Sequence, residues 1–353
     1  MPSVTNGRLI YVAQPSGFQE PGVHTLYVEE QIDLDNVPLH GGVLIKTLVL
    51  SSDPYLRVRM RDPSIPSLFP AFHIGLPYVI LLDRRTESDD TMEQPGDYVY
   101  SYLTFENYSV YPGPEDLQHV LKFIRKLDKH PDLPFSIYVG ALGMPGETAY
   151  AGWNAYAAEK AKTSKTLFVS SAAGAVGMFL IEYVKCTAPH LKIIACAGYP
   201  EKVQMLKEAG VDVAFNYKTE DTAKVLAEHG PIDICWDHVS GPILDAALAN
   251  MEYFGIIVRV GTSSSYNTAK SSVQNMGLVV DKSLSMFGLI VGFGEVMKKA
   301  AETHIEDATK LILAAKIKSR ETRYRGLQEA GRALADIHRG LCTGKPVIIV
   351  AEE

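Results

Sequence analysis

Thr166-Leu-Phe-Val-Ser-Ser-Ala-Ala-Gly-Ala-Val-Gly177 begins as an apolar, β-prone run and passes through small residues into a helix-forming run. A strand, a tight turn and a helix N-terminus follow from that order. The first amides of such a helix lack intrahelical acceptors and sit at the positive end of its dipole, so together they attract a diphosphate. The dinucleotide fingerprint G-x-G-x-x-G is present as Ala172-x-Gly174-x-x-Gly177, with alanine in the first place. In this reading Gly174, Ala175, Val176 and Gly177 form the phosphate turn. Gly174 admits the phosphates to the backbone, and Gly177 lets helix and strand approach. A purely structural glycine turn would show the same letters.

The segments downstream decide between the two. Helical spacing over 175–187 precedes the β-branched run Lys192–Ala197. Helices near 200–209, 221–229 and 243–250 then alternate with strands Val213–Tyr217, Ile232–Trp236 and Gly255–Val260. A last strand is expected near Leu284–Val291. This alternation implies βαβ units on a doubly wound parallel sheet of the Rossmann type, with six strands.

Charge at the strand tips indicates which dinucleotide. An NAD site usually carries Asp or Glu after the second strand, whereas this chain reads Gly198-Tyr-Pro-Glu-Lys202. Lys202 would attract a 2′-phosphate, and Tyr217 would donate a hydroxyl to it. Glu201 argues the other way, and Lys202 alone is equally consistent with a solvated lysine. The balance favours NADP(H).

The chain has 353 residues, 46% of them hydrophobic, enough for two cores. A net charge of −7 without a basic run argues against nucleic acid. No apolar stretch is long enough to span a bilayer, and the first residues lack a secretory signal core, so a soluble cytoplasmic protein is expected. The four cysteines (Cys186, Cys196, Cys235, Cys342) are widely separated, which suits reduced thiols. No cysteine precedes Cys186, so clustered thiolate ligands for zinc cannot be assembled there. Residues 1–130 carry short β-like runs (Arg8–Ala13, Val43–Leu50, Tyr98–Tyr102, Tyr108–Pro112) that suit a small β-barrel. The tail, 312–353, carries a helix near 325–338 and a strand Pro346–Val350. It is expected to rejoin 1–130, leaving 131–311 as an inserted dinucleotide-binding domain. Asp83–Gln94 reads as a surface loop.

Several further motifs carry a resemblance. They include Ser52-Asp-Pro-Tyr-Leu-Arg-Val-Arg-Met60, Gly143-Met-Pro-Gly-Glu-Thr-Ala-Tyr150, Phe215-Asn-Tyr-Lys218, Trp236-Asp-His-Val-Ser-Gly241, Ser265-Tyr-Asn267 and Gly344-Lys-Pro-Val347. With the phosphate turn they make the whole chain resemble the zinc-free medium-chain dehydrogenase/reductases. Within them it is similar to the branch of the prostaglandin reductases and the plant and fungal alkenal double-bond reductases. The resemblance implies a Rossmann domain inserted into a GroES-like β-barrel domain, a homodimer, and NADPH-dependent reduction of the C=C bond of a small hydrophobic enal or enone. It implies that Tyr266 lies beside the nicotinamide and the substrate carbonyl, and that Tyr55 lines the substrate pocket. An apolar, aromatic pocket of Tyr55, Phe69, Phe72, Tyr78, Tyr266 and Phe287 would suit a hydrophobic enone, although the same residues would also fill a core. It also implies that His238, Gly261, Leu289, Ile290 and Val291 line the cofactor.

Some positions depart from that pattern. Tyr199 stands where serine is usual, and His238 and Cys342 stand where asparagine is usual. Ile74–Leu82 replaces a glycine-rich strand. These departures keep open a repurposed member that catalyses a redox-neutral step or only binds a ligand. A quinone reductase also stays open, because quinones and enones both accept hydride at a conjugated carbon.

Overall fold

The structure, a computed structural model, describes residues 3–77, 96–112, 125–268 and 272–352. The expected Asp83–Gln94 loop, Tyr78 and the 79–82 part of the altered segment lie outside the described residues. The chain divides into two compact units. One comprises Met1–Tyr138, Arg323–Leu341 and Pro346–Glu353, and the other Val139–Thr322 and Cys342–Lys345.

The first unit is built of short β-strands. Val4–Tyr11 (β1) pairs antiparallel with Thr25–Ile32 (β2) along its whole length, from Val4↔Ile32 to Tyr11↔Thr25. The sequence suggests β1 four residues later and does not reveal β2, because Val28–Gln31 of β2 is exposed on both faces, with Glu29 on one and Glu30 on the other, and so lacks a clean apolar period. The expected run 43–50 is two strands, Val43–Lys46 (β3) and Val49–Ser51 (β4). It breaks at Thr47, whose amide turns to the Asn107 carbonyl at 2.9 Å. Val99–Tyr100 (β5), Tyr108–Tyr111 (β6) and Arg125–Lys126 (β7) add the antiparallel pairs β3–β6 and β5–β7. The tail supplies Glu321–Arg325 (β14) and Lys345–Ile349 (β15), which form a sheet in the order β14-β15-β4. Asn6 ties two of these sheets together. Its side-chain amide donates to the Tyr108 carbonyl and accepts from the Tyr108 N–H, each at 2.9 Å. The tail helix, Ala330–Arg339, ends on Gly340 in the left-handed conformation (φ 75°) that glycine favours at a helix C-terminus.

The second unit holds the six-stranded parallel sheet. Its strands are Thr166–Val169 (β8), Lys192–Ala197 (β9), Val213–Asn216 (β10), Ile232–Asp237 (β11), Met251–Arg259 (β12) and Ser285–Gly288 (β13). They lie in the order β10-β9-β8-β11-β12-β13. The order reverses between β8 and β11, which opens a crevice beyond the C-terminal ends of those two strands. Phe168, Ile194, Phe215, Cys235, Leu244 and Ile257 are buried together on one face of the sheet. Continuous β-branched runs in β9 and β12 are what a sheet buried on both faces requires.

Helices Ala175–Thr187, Pro200–Glu208, Thr222–His229 and Gly241–Ala249 connect the strands close to where the periodicity places them. Two strands differ in extent from the sequence reading. β12 begins four residues early, and β13 stops at Gly288, just before the Leu289 amide donates to the Arg259 carbonyl of β12 at 2.9 Å. Among the described residues, no helix is long and apolar enough to cross a membrane.

Candidate functional site

The turn after β8 is fixed from three sides. The Ala172 amide donates to the Cys196 carbonyl (3.0 Å), and Ser170 donates to the Trp236 carbonyl (3.0 Å). From the tail, the Gly344 amide donates to the Ala173 carbonyl (3.2 Å). Gly344 has φ 69°, and a Cβ there would stand 2.2 Å from the Arg320 carbonyl oxygen, so only glycine lets this segment lie against the turn.

The two glycines of the fingerprint have separate tasks. A Cβ on Gly177 would lie 2.5 Å from the Ala172 carbonyl oxygen, so helix Ala175–Thr187 starts this close to its strand only without a side chain there. A Cβ on Gly174 would meet only the Ser171 carbonyl oxygen, at 3.6 Å, and otherwise point into open space. Gly174 is also the helix N-cap and has no side chain to cap the first amides. Those amides, with the dipole behind them, form an anion cradle that fits a diphosphate.

A second group of polar residues gathers at the tips of β9 and β10. Lys202 is half-buried, and burial is the main influence holding its pKa below the usual lysine range. Tyr217 is 40% exposed, so its hydroxyl is within reach of a ligand. A Cβ on Gly198 would stand 3.0 Å from that hydroxyl oxygen, so the glycine makes room for the phenol. Cys342 is buried close enough to Lys202 to influence its charge. Lys202 and Tyr217 both stand at these strand tips, the one beside the Tyr199 ring and the other beside Gly198.

Further along the same sheet, a cavity of ≈ 550 Å³ is lined by Tyr156, Tyr266, Gly261, Leu289, Ile290 and Arg259, among others. It collects four of the residues named from sequence (Gly261, Tyr266, Leu289 and Ile290); Val291 is not among its lining. Tyr266 hydrogen-bonds Thr262, and burial raises its pKa, so it stays a protonated phenol at neutral pH. Tyr156 and Arg259 were not legible as site residues. Tyr156 sits in a π-helical turn, Trp153–Ala157, and its ring stacks on Phe287 at 4.9 Å; such π turns often mark functional sites. Arg259 pairs with buried Asp237 at 3.0 Å. Asp237 also accepts from Ser170 Oγ and from the amides of Val239 and Ser240, each at 3.1 Å.

His238 turns inward. Its Nε2 accepts the Trp236 indole N–H at 3.1 Å, which places the ring proton on Nδ1, where it donates to the Ser170 carbonyl at 2.6 Å. Burial lowers its pKa and keeps the ring neutral. Both nitrogens are thus engaged within the fold, and what His238 presents at the strand end is its carbonyl, which accepts from Ser263 at 3.1 Å.

Tyr55 belongs to the first unit. Its ring packs on Phe69 at 5.3 Å, and burial together with the Asp53 carboxylate holds its pKa well above the usual phenol range. Phe72 packs on Tyr11 at 5.9 Å and lies under the Arg59 guanidinium at 4.3 Å. Among the described residues no group of three or more His, Cys, Asp or Glu is placed to hold a metal ion. Cys196, whose pKa burial raises to about 12, and Cys235 are core residues of the sheet.

Sequence and structure comparisons agree with this architecture. A family described as zinc-binding dehydrogenase matches residues 175–306. The 2-alkenal reductase (NADP(+)-dependent) of Nicotiana tabacum is 36% identical over 92% of this chain and 94% of its own. The NADP-dependent oxidoreductase RED1 of Cochliobolus heterostrophus is 33% identical over 98% of each chain. Among solved structures, CurA from Vibrio vulnificus in complex with NADPH superposes with a TM-score of 0.80 at 26% identity, covering 98% of this chain and 100% of that one. The chain belongs to the medium-chain dehydrogenase/reductase family. That family description names zinc, for which the described residues supply no donor set.

The glycine geometry separates stability from binding. Gly177→Ala is expected to lower unfolding free energy in urea by about 1–3 kcal/mol through overpacking. Gly174→Ala is expected to leave the urea midpoint almost unchanged while weakening nucleotide affinity in a titration. The reverse pattern would contradict the assigned tasks.

Proposed function

We propose that the protein reduces the C=C bond of an α,β-unsaturated aldehyde or ketone with NADPH. The observation that carries this reading is the cavity wall where the protonated Tyr266 phenol meets Gly261, Leu289 and Ile290, on the sheet whose switch point holds the phosphate cradle. Likeness to an NADP-dependent 2-alkenal reductase and to an NADPH-complexed structure supports the choice of cofactor and substrate class.

The turn Gly174–Gly177 would hold the diphosphate, and Lys202 with Tyr217 the 2′-phosphate. Gly261, Leu289 and Ile290 would flank the nicotinamide. NADPH, when bound, would supply a hydride to the β-carbon of the substrate, and a proton from solvent would complete the reduction at the α-carbon. As charge moves to the carbonyl oxygen, the Tyr266 hydroxyl donates a hydrogen bond to it, and this donor is already fixed by Thr262 before the reaction begins. Its raised pKa suits hydrogen-bond donation rather than ionisation. Tyr55, on the first unit, is likewise a neutral phenol, and we propose it as a substrate contact. The apolar and aromatic lining suits a hydrophobic enone or enal.

We further propose a homodimer formed through the second unit. Its β13 is an edge strand, and nearby Tyr253 and Phe254 are 60% and 69% exposed. Such an edge with apolar neighbours invites pairing with a second copy. Light scattering in solution should give twice the chain mass; a monomer at micromolar concentration would refute the dimer.

Activity is tested by following NADPH oxidation with a panel of enals, enones and quinones, and identifying products by mass spectrometry. The expected product is the saturated carbonyl. Reduction confined to quinones, or to the carbonyl group itself, would refute the assignment. Tyr266→Phe is expected to lower kcat roughly a hundredfold while nearly preserving NADPH affinity. Unchanged kcat would remove Tyr266 from the chemistry.

A further inference from the structure

Lys218 follows Tyr217 at the tip of β10. Its amide donates to the Asn216 Oδ1 at 3.0 Å, and the Thr219 and Glu220 amides donate to the Asn216 carbonyl at 3.0 and 2.8 Å, so the backbone here is closed into a tight turn. From that turn the Lys218 side chain runs back across Gly198. A Cβ on Gly198 would stand 3.1 Å from Lys218 Cε, so a side chain at 198 would displace it. The Lys218 ammonium ends 3.8 Å from the centre of the Tyr199 ring, and the Lys202 ammonium lies 5.8 Å from the same ring.

Both distances fall within the roughly 6 Å reach of cation–π attraction. One phenol ring therefore holds two ammonium groups beside a third polar group, the Tyr217 hydroxyl. Two cations gathered this closely repel one another, and Lys218 adds to the burial that depresses the Lys202 pKa. A phosphate dianion carries the charge and acceptor oxygens that would relieve the repulsion.

We propose that Lys218 is a second cation for the 2′-phosphate of NADPH, and that Tyr199 is the positioning residue that holds it there. This rests on the NADPH reading above and adds two residues to the specificity site. The phenol at 199, set against the site when read from sequence alone, becomes the platform on which it is built. A serine there could not hold either ammonium by its ring face.

The test is a set of titrations on the full chain with NADPH, NADH, adenosine 2′,5′-bisphosphate and AMP. Lys218→Met keeps the stem and removes the charge. It is expected to weaken NADPH and the bisphosphate about tenfold, as for one lost charge-assisted contact, with NADH and AMP unchanged. Tyr199→Leu should reproduce that selective loss, Tyr199→Phe should restore wild-type affinity, and the double variant Lys218→Met/Tyr199→Leu should be no worse than Lys218→Met alone. If the wild type prefers NADPH but Lys218→Met weakens all four ligands equally, or none, the role of Lys218 is refuted. If Tyr199→Phe loses as much as Tyr199→Leu, the ring platform is refuted. A wild type that binds NADPH no better than NADH overturns the cofactor reading itself.

Discussion

The close approach of helix Ala175–Thr187 to the Ala172 carbonyl is the constraint on which the rest of the second unit depends. Only the missing side chain at Gly177 permits it. That approach aims the first amides of the helix into the crevice between β8 and β11, where the strand order reverses. The tail segment then locks the turn through Gly344, a glycine that can occupy its position only because it has no Cβ and accepts a positive φ. In the proposed site, backbone geometry rather than any charged side chain would hold the diphosphate, with charge added at its margins.

Those margins are arranged differently at the two ends of the sheet. At the tips of β9 and β10, two lysines and two tyrosines converge, with Gly198 leaving the room they occupy. At the ends of β11 and β12, Asp237 gathers Ser170, Arg259 and the amides of the following loop. This satisfies a buried carboxylate and fixes the loop from which Gly261 and Tyr266 face the cavity. His238 contributes through the same network, with both ring nitrogens spent on Trp236 and Ser170.

Much of this arrangement was legible in the sequence, and for identifiable reasons. Strands β8 to β11 and the helices between them follow from β-branched runs, helical spacing and the glycine turn, all of which are local signals. Gly174, Gly177, Lys202 and Tyr217 follow from their places at strand ends. β2 was not legible, because a run of consecutive exposed residues, Val28–Gln31, leaves both of its faces without a period of two. Tyr156 and Arg259 reach the cavity through tertiary packing, and no local pattern marks them. The role of Lys218 depends on how the chain folds back across Gly198, a long-range fact that neighbouring letters cannot encode. Tyr199 shows the reverse case. As a letter it departs from the family's usual residue, while in the fold its ring faces two ammonium groups.

The most direct measurement is a calorimetric titration of the purified full chain with NADPH and with NADH under the same buffer and salt. A glycine cradle flanked by Lys202, Tyr217 and Lys218 predicts micromolar binding of NADPH and much weaker binding of NADH. Equal affinity for the two, or no heat with either, would contradict the reading of this sheet edge as an NADPH site.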